Sequence, residues 1–236
     1  MTFLEISKDD GIVVISMKHG DSNAFNLDFL LELEDCVEQV KSDPESRALV
    51  FTSLNEKIFS VGLDVPWMVA NPSKVMGFMK EMFSFLAHML ICPIPTLAAI
   101  NGHALAGGAV FAFALDYRFM RKDNAYIALP EINYKISWPG SMLKLVQRVS
   151  SHDVFRDMIL QGKRFYANEA LEAKLVDGAY SREWLLPKSI EFAKELAKKD
   201  RVTYAHIKRT MRKELADAVK SDDVSEFVST SFLDKK

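Results

Sequence analysis

The stretch NGHALAGGAVFAFALD, residues 101–116, decides the fold because it joins a glycine-containing turn to an apolar helix. Gly107 and Gly108 lie where the polar turn meets a run of apolar residues that extends to Leu115. The first N–H groups of a helix have no partners within it and carry a partial positive charge. Glycine has no Cβ, so a ligand oxygen can approach these amides closely. Two interpretations remain open: a site for negative charge, or close backbone packing of a buried helix.

A second glycine-containing segment, FSVGLDVPWM at residues 59–68, favours the first interpretation. It places Gly62 between an apolar strand and a helix start at which Asp64 is suited to be the N-cap. The phosphate-binding patterns GxxxxGK[ST] and GxGxxG are both absent. Two separate glycine-containing turns can direct one N–H group each at the same carbonyl oxygen. The two segments therefore predict an oxyanion hole.

The composition is that of an ordinary globular protein, with 236 residues, a net charge of −2 and 49% hydrophobic residues. This charge gives no electrostatic reason to expect nucleic acid or an anionic membrane as a partner. Cys36 and Cys92 are the two cysteines, which argues against a secreted disulfide scaffold. We see no signal peptide, no run of eighteen apolar residues and no C-terminal S-K-L address, and we expect a cytoplasmic protein.

Alternating strand-like and helical segments predict an α/β core over residues 1–185 and a C-terminal helical region over residues 186–236. Strand patterns flank the turn Asp9-Asp10-Gly11, and strand pairs followed by helices recur along the core. From Pro187 onward the pattern is helical and more charged. The predicted strands are 3–6, 12–17, 47–53, 96–100, 117–120 and 126–129, and the other predicted core helices are 27–40, 75–90, 140–149, 151–160 and 168–174.

Four segments in this order resemble the crotonase (enoyl-CoA hydratase/isomerase) superfamily, and most of all its Δ3,Δ2-enoyl-CoA isomerases. They are FSVGLD at 59–64, NGHALAGG at 101–108, LPE at 129–131 and GKRFYANEALEAKLVD at 162–177. The resemblance begins at NAFN, residues 23–26, and weakens after Asp177. It implies a crotonase-like spiral of ββα units with C-terminal helices, assembled as a homotrimer or a dimer of trimers.

The resemblance also implies an acyl-CoA thioester as substrate, with its thioester oxygen between the N–H groups of Leu63 and Gly107. No separate cofactor is implied, because coenzyme A is part of the substrate. We expect no metal site, because the five histidines lack the spacing of metal ligands. The implied substrate-binding residues are Ala24, Phe25, Val61, Gly62, Leu63, Asp64, Gly107 and Pro130.

Two positions distinguish the possible reactions of such a protein. Hydratases of the family carry two glutamates, whereas this sequence has Val110 at the first position and Glu131 at the second. Valine cannot transfer a proton, so we expect little or no hydration. One base suffices to move a proton from C2 to C4, which converts 3-enoyl-CoA to trans-2-enoyl-CoA in fatty-acid degradation. We therefore expect an isomerase with Glu131 as its base, although Pro130 before this glutamate is more typical of hydratases.

Burial would improve Glu131 as a base. We expect its neighbours Leu129, Pro130, Ile132 and Trp138 to remove water from the carboxylate and raise its pKa.

Several alternatives remain open at this point. The protein is alternatively a non-catalytic acyl-CoA-binding or interaction protein on the same scaffold, or an enzyme of another crotonase reaction such as thioester hydrolysis. Glu131 alone, without the motifs around it, is typical of a solvated turn residue. The Met- and Phe-rich segment at 75–90 packs as core or partly lines an acyl-chain pocket. His103 is expected to be structural. The basic residues Lys208, Arg209, Arg212 and Lys213 predict a solvated helix face, or contacts to CoA phosphates.

Overall fold

The computed structural model of the protein contains two mixed β-sheets with helices packed around them. It describes residues 2–229, without the side chain of Glu226. One sheet has six strands in the order β1-β2-β3-β5-β7-β10, and the other has four in the order β4-β6-β8-β9. The strands are β1 (Leu4–Asp9), β2 (Ile12–Met17), β3 (Ala48–Ser53), β4 (Ile58–Ser60), β5 (Thr96–Ile100), β6 (His103–Leu105), β7 (Tyr117–Arg121), β8 (Tyr126–Ala128), β9 (Phe165–Tyr166) and β10 (Gly178–Tyr180).

Ten α-helices lie within the described residues. They are α1 (Leu27–Ser42), α2 (Val65–Ala70), α3 (Pro72–Leu90), α4 (Gly107–Ala114), α5 (Gly140–Arg148), α6 (His152–Gln161), α7 (Ala167–Glu172), α8 (Arg182–Ala197), α9 (Arg201–Ser221) and α10 (Ser225–Val228). A short 3-10 helix spans Glu131–Tyr134. None of the described helices is long and apolar enough to cross a lipid bilayer.

The chain winds repeatedly between the two sheets. In three successive strand pairs, β3-β4, β5-β6 and β7-β8, the first strand joins the six-stranded sheet and the second joins the four-stranded sheet. Each pair is followed by at least one helix, and the neighbouring strands from successive pairs are parallel. The predicted repeat of strand pairs and helices is therefore confirmed, and it forms a spiral of ββα units. The strand expected before Gly62 is confirmed as β4, whereas the short strands β6, β9 and β10 were not predicted, because two or three residues carry too little alternation to be recognised.

Helix α4 lies at the centre of this spiral. Every residue from Gly108 to Ala114 is buried, as expected for a helix that is apolar on all sides. The ring of Phe111 packs against Phe51 of the six-stranded sheet, Phe59 of the four-stranded sheet and Phe85 of α3, at centroid distances of 5.0, 6.4 and 5.7 Å. This one side chain therefore joins both sheets to a helix layer.

The C-terminal helices cover two different parts of the core. Helix α8 packs on the outer face of the six-stranded sheet, where Leu185 and Ala193 contact residues such as Val50. Helix α9 packs along α3. The expected boundary between residues 185 and 186 falls inside α8, which begins at Arg182 and contains Pro187. Met1 and residues 230–236, at the ends of the two expected regions, lie outside the described residues.

A buried charge cluster ties α9 to the core at Asp116. Its carboxylate accepts hydrogen bonds from the Thr96 N–H at 2.9 Å and the Lys208 Nζ at 2.7 Å, and it pairs with the Arg212 guanidinium. The Tyr204 hydroxyl also donates to it at 3.0 Å. Burial tends to raise the pKa of Asp116, but the charges of Lys208 and Arg212 outweigh this and hold the pKa below its usual range.

This cluster corrects the expectation that Lys208 and Arg212 lie on a solvated face or reach CoA phosphates. The side chains of Lys208 and Arg212 are only 4% and 11% exposed. Arg209 and Lys213, by contrast, are exposed as expected. The prediction was wrong for half of the face because the partner, Asp116, lies 92 residues from Lys208 and sequence periodicity carries no signal for it.

We expect Asp116→Asn to lower the free energy of unfolding by about 3–5 kcal/mol, because it leaves buried cations without their counter-charge. Urea denaturation measures this change. The matched control is Asp217→Asn, which removes an exposed ion pair with Lys213 and should cost less than about 1 kcal/mol. Equal effects of the two substitutions would contradict the role assigned to Asp116.

Candidate active site

A cavity of about 770 Å³ opens between the start of α4 and helices α2, α3 and α5. Its walls are mostly apolar, as is usual for a small-molecule site. Glu131 is the one residue with a carboxyl group among the described residues that line it. The lining residues are Val61, Leu63, Val65, Met68, Val69, Pro72, Val75, Met79, Met82, Phe83, Leu86, Leu105, Ala106, Gly107, Val110, Pro130, Glu131, Tyr134, Ile136, Ser137, Trp138, Pro139, Met142 and Phe227.

The backbone around Leu63 is held so that its own N–H group is unpaired. Phe25 donates its N–H to Gly62 O at 2.6 Å and accepts at its carbonyl from the Asp64 N–H at 2.9 Å. Successive N–H groups of an extended segment point to opposite sides, so the N–H of Leu63 points away from Phe25. No residue in the described chain accepts a hydrogen bond from it.

The N–H of Gly107 is the second unpaired donor at the cavity. It belongs to the first residue of α4, whose N-terminus has no side-chain cap. The preceding residue, Ala106, has φ 48° and ψ −128°, a conformation that L-residues rarely adopt. Its N–H donates to Ala128 O at 3.0 Å, which anchors this strained turn to β8. The helix therefore begins abruptly, with its first N–H group at the cavity and unpaired within residues 2–229.

The glycines bring these two turns into contact. Gly62 has φ +88°, and a Cβ atom on it would clash with the backbone N of Gly107. A Cβ atom on Gly107 would lie 3.1 Å from the Cα of Gly62 and 3.5 Å from the N of Leu63. A Cβ atom on Gly108 would clash with the carbonyl of Ser60 in β4. The close backbone packing predicted for the glycine pair is therefore confirmed at Gly108, whereas Gly107 lines the cavity and its role as a site for negative charge stays a prediction.

Glu131 reaches the cavity from a turn that follows β8. The turn is a 3-10 helix with Pro130 as its N-cap, and the Glu131 carbonyl accepts a hydrogen bond from the Ile136 N–H at 3.0 Å. Gly162, the left-handed C-cap of α6, packs against Pro130, with its missing Cβ only 3.4 Å from the Pro130 Cα. The backbone of Glu131 is thus fixed by the hydrogen bonds and packing of this turn.

The carboxyl group of Glu131 is desolvated and incompletely hydrogen-bonded. The residue is 8% exposed, and burial raises its pKa from the usual 4.5 to about 7. Its Oε2 atom and the Nε1 atom of Trp138 are buried without a hydrogen-bond partner in the described part of the chain. The expected rise in pKa is confirmed, although Ile132, one of the neighbours invoked for it, is 44% exposed.

The other predicted substrate-binding residues lie around the Leu63 turn, apart from Pro130, which precedes Glu131. Val61 and Pro130 line the cavity. Phe25 holds the turn through its backbone, and the Ala24 carbonyl accepts a hydrogen bond from the His19 ring at 2.8 Å. Asp64 caps α2 by accepting from the Trp67 N–H at 2.9 Å, which confirms its predicted role as a helix cap.

Some of the cavity residues belong to the predicted Met- and Phe-rich segment, and others were not predicted from the sequence. Met79, Met82 and Phe83 line the cavity, whereas Phe85 and Met89 pack in the core, so the Met- and Phe-rich segment is divided between cavity and core, and its contact with an acyl chain stays a prediction. The helical spacing of these residues could have indicated which of them face the cavity and which face the core. Tyr134, Met142 and Phe227 were also not predicted. Tyr134 ends the 3-10 helix that begins at Glu131, and the positions of Met142 and Phe227 depend on how α5 and α10 pack.

Two further positions have the roles the sequence suggested. Val110 is buried and lines the cavity, so no second carboxylate faces Glu131 from α4. His103 packs its ring on Tyr126 at 4.1 Å, and burial lowers its pKa. Among residues 2–229, no three histidine, cysteine or acidic side chains are grouped as metal ligands.

Comparison with known proteins relates the whole arrangement to one family. The family model for enoyl-CoA hydratase/isomerase matches residues 7–230. The chain is 30% identical to the peroxisomal enoyl-CoA delta isomerase 2 of Arabidopsis thaliana over 89% of its length and 92% of that protein. It is 26% identical to the carnitinyl-CoA dehydratase of Shigella flexneri, over 89% and 80%.

Solved structures show the same fold. An apo enoyl-CoA isomerase of Mycobacterium tuberculosis superposes with a TM-score of 0.85 at 24% identity, over 93% of this chain and 95% of that one. An enoyl-CoA hydratase/isomerase family protein of Pseudomonas syringae gives a TM-score of 0.87 at 22% identity, over 93% and 94%. The spiral of ββα units with C-terminal helices is therefore the crotonase fold.

We expect Glu131→Gln to be more stable than the wild type at pH 8, by up to about 3 kcal/mol. The folded-state pKa of about 7 exceeds the usual 4.5, so the folded protein binds this proton more tightly than the unfolded chain. Wild-type stability is then lost as the pH rises from about 4.5 through 7, whereas glutamine has no such dependence. Urea denaturation at pH 5 and pH 8 measures the difference. The exposed Glu195→Gln is the control, and a pH-independent gap between Glu131→Gln and wild type would contradict the assignment.

Proposed function

Because the chain belongs to the enoyl-CoA hydratase/isomerase family, we propose that it is a Δ3,Δ2-enoyl-CoA isomerase. The observation that carries this proposal is the single carboxylate of Glu131 in a largely apolar cavity, with Val110 in place of a second acid. Hydration requires a water molecule to be activated and a proton to be delivered, for which hydratases of the family use two glutamates. Moving a double bond requires one group that takes and returns the same proton.

The two unpaired N–H groups supply the electrostatic part of the proposed reaction. In this proposal the thioester oxygen of the substrate accepts hydrogen bonds from the N–H groups of Leu63 and Gly107. Negative charge then develops on this oxygen when a proton leaves C2, and fixed donors stabilise it without reorganisation. The partial positive charge at the N-terminus of α4 acts in the same direction.

Glu131 supplies the proton transfer. Its carboxylate removes a proton from C2, the C2–H electron pair forms the C1–C2 double bond of a dienolate, and the thioester oxygen takes the negative charge. Collapse of the dienolate forms the C2–C3 double bond while C4 takes the proton from the Glu131 carboxyl. The raised pKa makes the carboxylate a stronger base than an exposed glutamate, and it places the group close to neutral pH.

The geometry of the site also favours isomerisation over the alternative functions. The dehydratase relatives show that the family includes enzymes that form double bonds by loss of water. A buried carboxylate without a hydrogen-bond partner is costly, and a protein that only binds acyl-CoA gains nothing from it. We therefore favour isomerisation over both a non-catalytic binder and a hydratase-like enzyme. The assembly into trimers stays a proposal that rests on the family resemblance.

We expect Glu131→Gln to lower the turnover of 3-hexenoyl-CoA by about 10²–10⁴-fold, because the variant keeps the shape of the side chain and lacks the base. In the wild type, kcat/KM should rise with pH through about 7 and then level off, because the base must be ionised. Spectroscopic assays of 2-enoyl-CoA formation measure both the turnover of Glu131→Gln and the pH dependence of kcat/KM in the wild type. Affinity for saturated hexanoyl-CoA should be unchanged and serves as the control. Wild-type turnover by Glu131→Gln would rule out this mechanism.

We expect Gly62→Ala to lower turnover by about 10²–10³-fold, because its methyl group would displace the Gly107 N–H from the thioester oxygen. The same assay measures this loss. Gly77→Ala is a matched control, since a Cβ atom at Gly77 in α3 meets open space and should leave turnover unchanged. Retained activity in Gly62→Ala would show that the two N–H groups do not act together.

A further inference from the structure

The direction of the Leu63 N–H group is set by the peptide plane to which it belongs. In a planar trans peptide the C=O and N–H groups point in opposite directions. The Gly62 carbonyl accepts a hydrogen bond from the Phe25 N–H at 2.6 Å, so the Leu63 N–H of the same peptide points the other way. The orientation of this donor therefore depends on the backbone torsions of Gly62.

The torsions of Gly62 are restrained by a hydroxyl group two residues earlier. Gly62 has a left-handed conformation with φ 88°, and its N–H donates to the Ser60 Oγ at 3.2 Å. Both peptides that flank Gly62 are thus held, one by Ser60 and the other by Phe25. Ser60 is completely buried and is not among the described residues that line the cavity. It can therefore act on a bound substrate only through this turn.

The Ser60 hydroxyl is itself oriented by Asn23. It donates to the Asn23 carbonyl at 2.8 Å, which leaves its lone pairs to accept a hydrogen bond. Asn23 has φ 47°, a left-handed conformation that asparagine adopts more readily than most residues. Its buried Oδ1 accepts from the His19 N–H at 2.8 Å, and its Nδ2 donates to the Ser53 Oγ and the Phe59 carbonyl at 2.7 and 3.0 Å. The direction of the Asn23 carbonyl is therefore fixed.

The resulting series of hydrogen bonds joins the six-stranded sheet to the cavity. It runs from Ser53 in β3 through Asn23 and Ser60 to Gly62. A buried N–H group without a partner costs stability. If the Ser60 hydroxyl were absent, the Gly62 N–H would lose its partner, and the turn could rotate until this group found another. Such a rotation would also move the Leu63 N–H.

We propose that Ser60 is a positioning residue for the isomerisation, and that its hydroxyl, held by Asn23, keeps the Leu63 N–H directed at the thioester oxygen. This inference rests on the proposed function, because it requires that oxygen to bind to the Leu63 N–H. Fixed donors stabilise a developing charge most when they already point at the atom that will carry it. The Ser60 hydroxyl supplies this preorganisation without touching the substrate.

Ser60→Ala tests this inference, because it removes the hydroxyl and adds no bulk. We expect kcat for 3-hexenoyl-CoA to fall about 10- to 100-fold, which is less than the loss of a whole oxyanion donor, because the Leu63 N–H is misdirected rather than removed. The affinity for saturated hexanoyl-CoA should change less than about threefold, since the lost interaction matters most in the transition state.

Asn23→Gly is a second variant that tests the same series of hydrogen bonds. Glycine adopts the left-handed conformation of Asn23 without strain and lacks the side-chain amide. The Asn23 carbonyl is then retained but is held less firmly. We expect kcat to fall in the same direction as in Ser60→Ala and by a smaller factor.

Infrared difference spectra of hexanoyl-CoA labelled with ¹³C at the thioester carbonyl report the hydrogen bonds to that oxygen directly. The carbonyl band should move to lower wavenumber when the compound binds to the wild type, and it should move less in Ser60→Ala. Ser189→Ala is the matched control, because Ser189 is equally buried and its Oγ donates to the Leu185 carbonyl at 2.8 Å within α8. This control should keep the wild-type kcat and carbonyl band.

Thermal unfolding of each variant establishes that it is folded, and Asn23→Gly decides the matter if Ser60→Ala does not fold. A wild-type carbonyl band in the folded variants would overturn the inference even if their activity is low, because Ser60 would then have a merely structural role. An unchanged kcat would overturn it as well. A wild-type protein that binds hexanoyl-CoA without any shift of the carbonyl band would instead refute the proposed binding of the thioester oxygen itself.

Discussion

The packing of Phe111 between the two sheets and α3 is the contact on which the rest of this structure depends. Because α4 is apolar on every side, it is stable only where both sheets and α3 surround it. A helix in that position cannot begin with a polar cap from solvent, and its N-terminus meets the Leu63 turn instead. The unpaired N–H groups of Leu63 and Gly107 are therefore a consequence of how the core is built.

Three polar groups without partners meet at the cavity. The N–H of Gly107, the Oε2 of Glu131 and the Nε1 of Trp138 are all unpaired within the described residues. Each costs stability when it is left in an apolar environment. Their shared position at a single cavity is typical of sites where stability is lower because function requires it. The raised pKa of Glu131 reflects the same loss of stability, because burial makes ionisation of its carboxyl group unfavourable.

Much of the fold could be predicted, because helices such as α1 carry the helical periodicity and strands such as β2 are short apolar runs bounded by turn residues. The Gly62 and Gly107 turns and Glu131 could also be identified, since each belongs to a short local pattern. Lys208 could not be assigned, because its burial depends on Asp116, which is far away in sequence. Phe227 could not be assigned either, since nothing in its surrounding sequence indicates a cavity. Local patterns predict helices, strands and turns. They carry no signal for the side chains from distant parts of the sequence that pack against these elements.

The pairing of Asp116 with Lys208 has a consequence for biosynthesis. Ninety-two residues separate the two, and Arg212 follows four residues later. A ribosome adds roughly 5–20 residues per second, so about 5–20 seconds pass between synthesis of the acid and of its first counter-cation. During that interval strands β7 to β10 are synthesised and the two sheets become complete, but the charges that neutralise the acid beside α4 are still absent. The nascent protein is therefore expected to stay loosely packed around Asp116 until α9 leaves the exit tunnel.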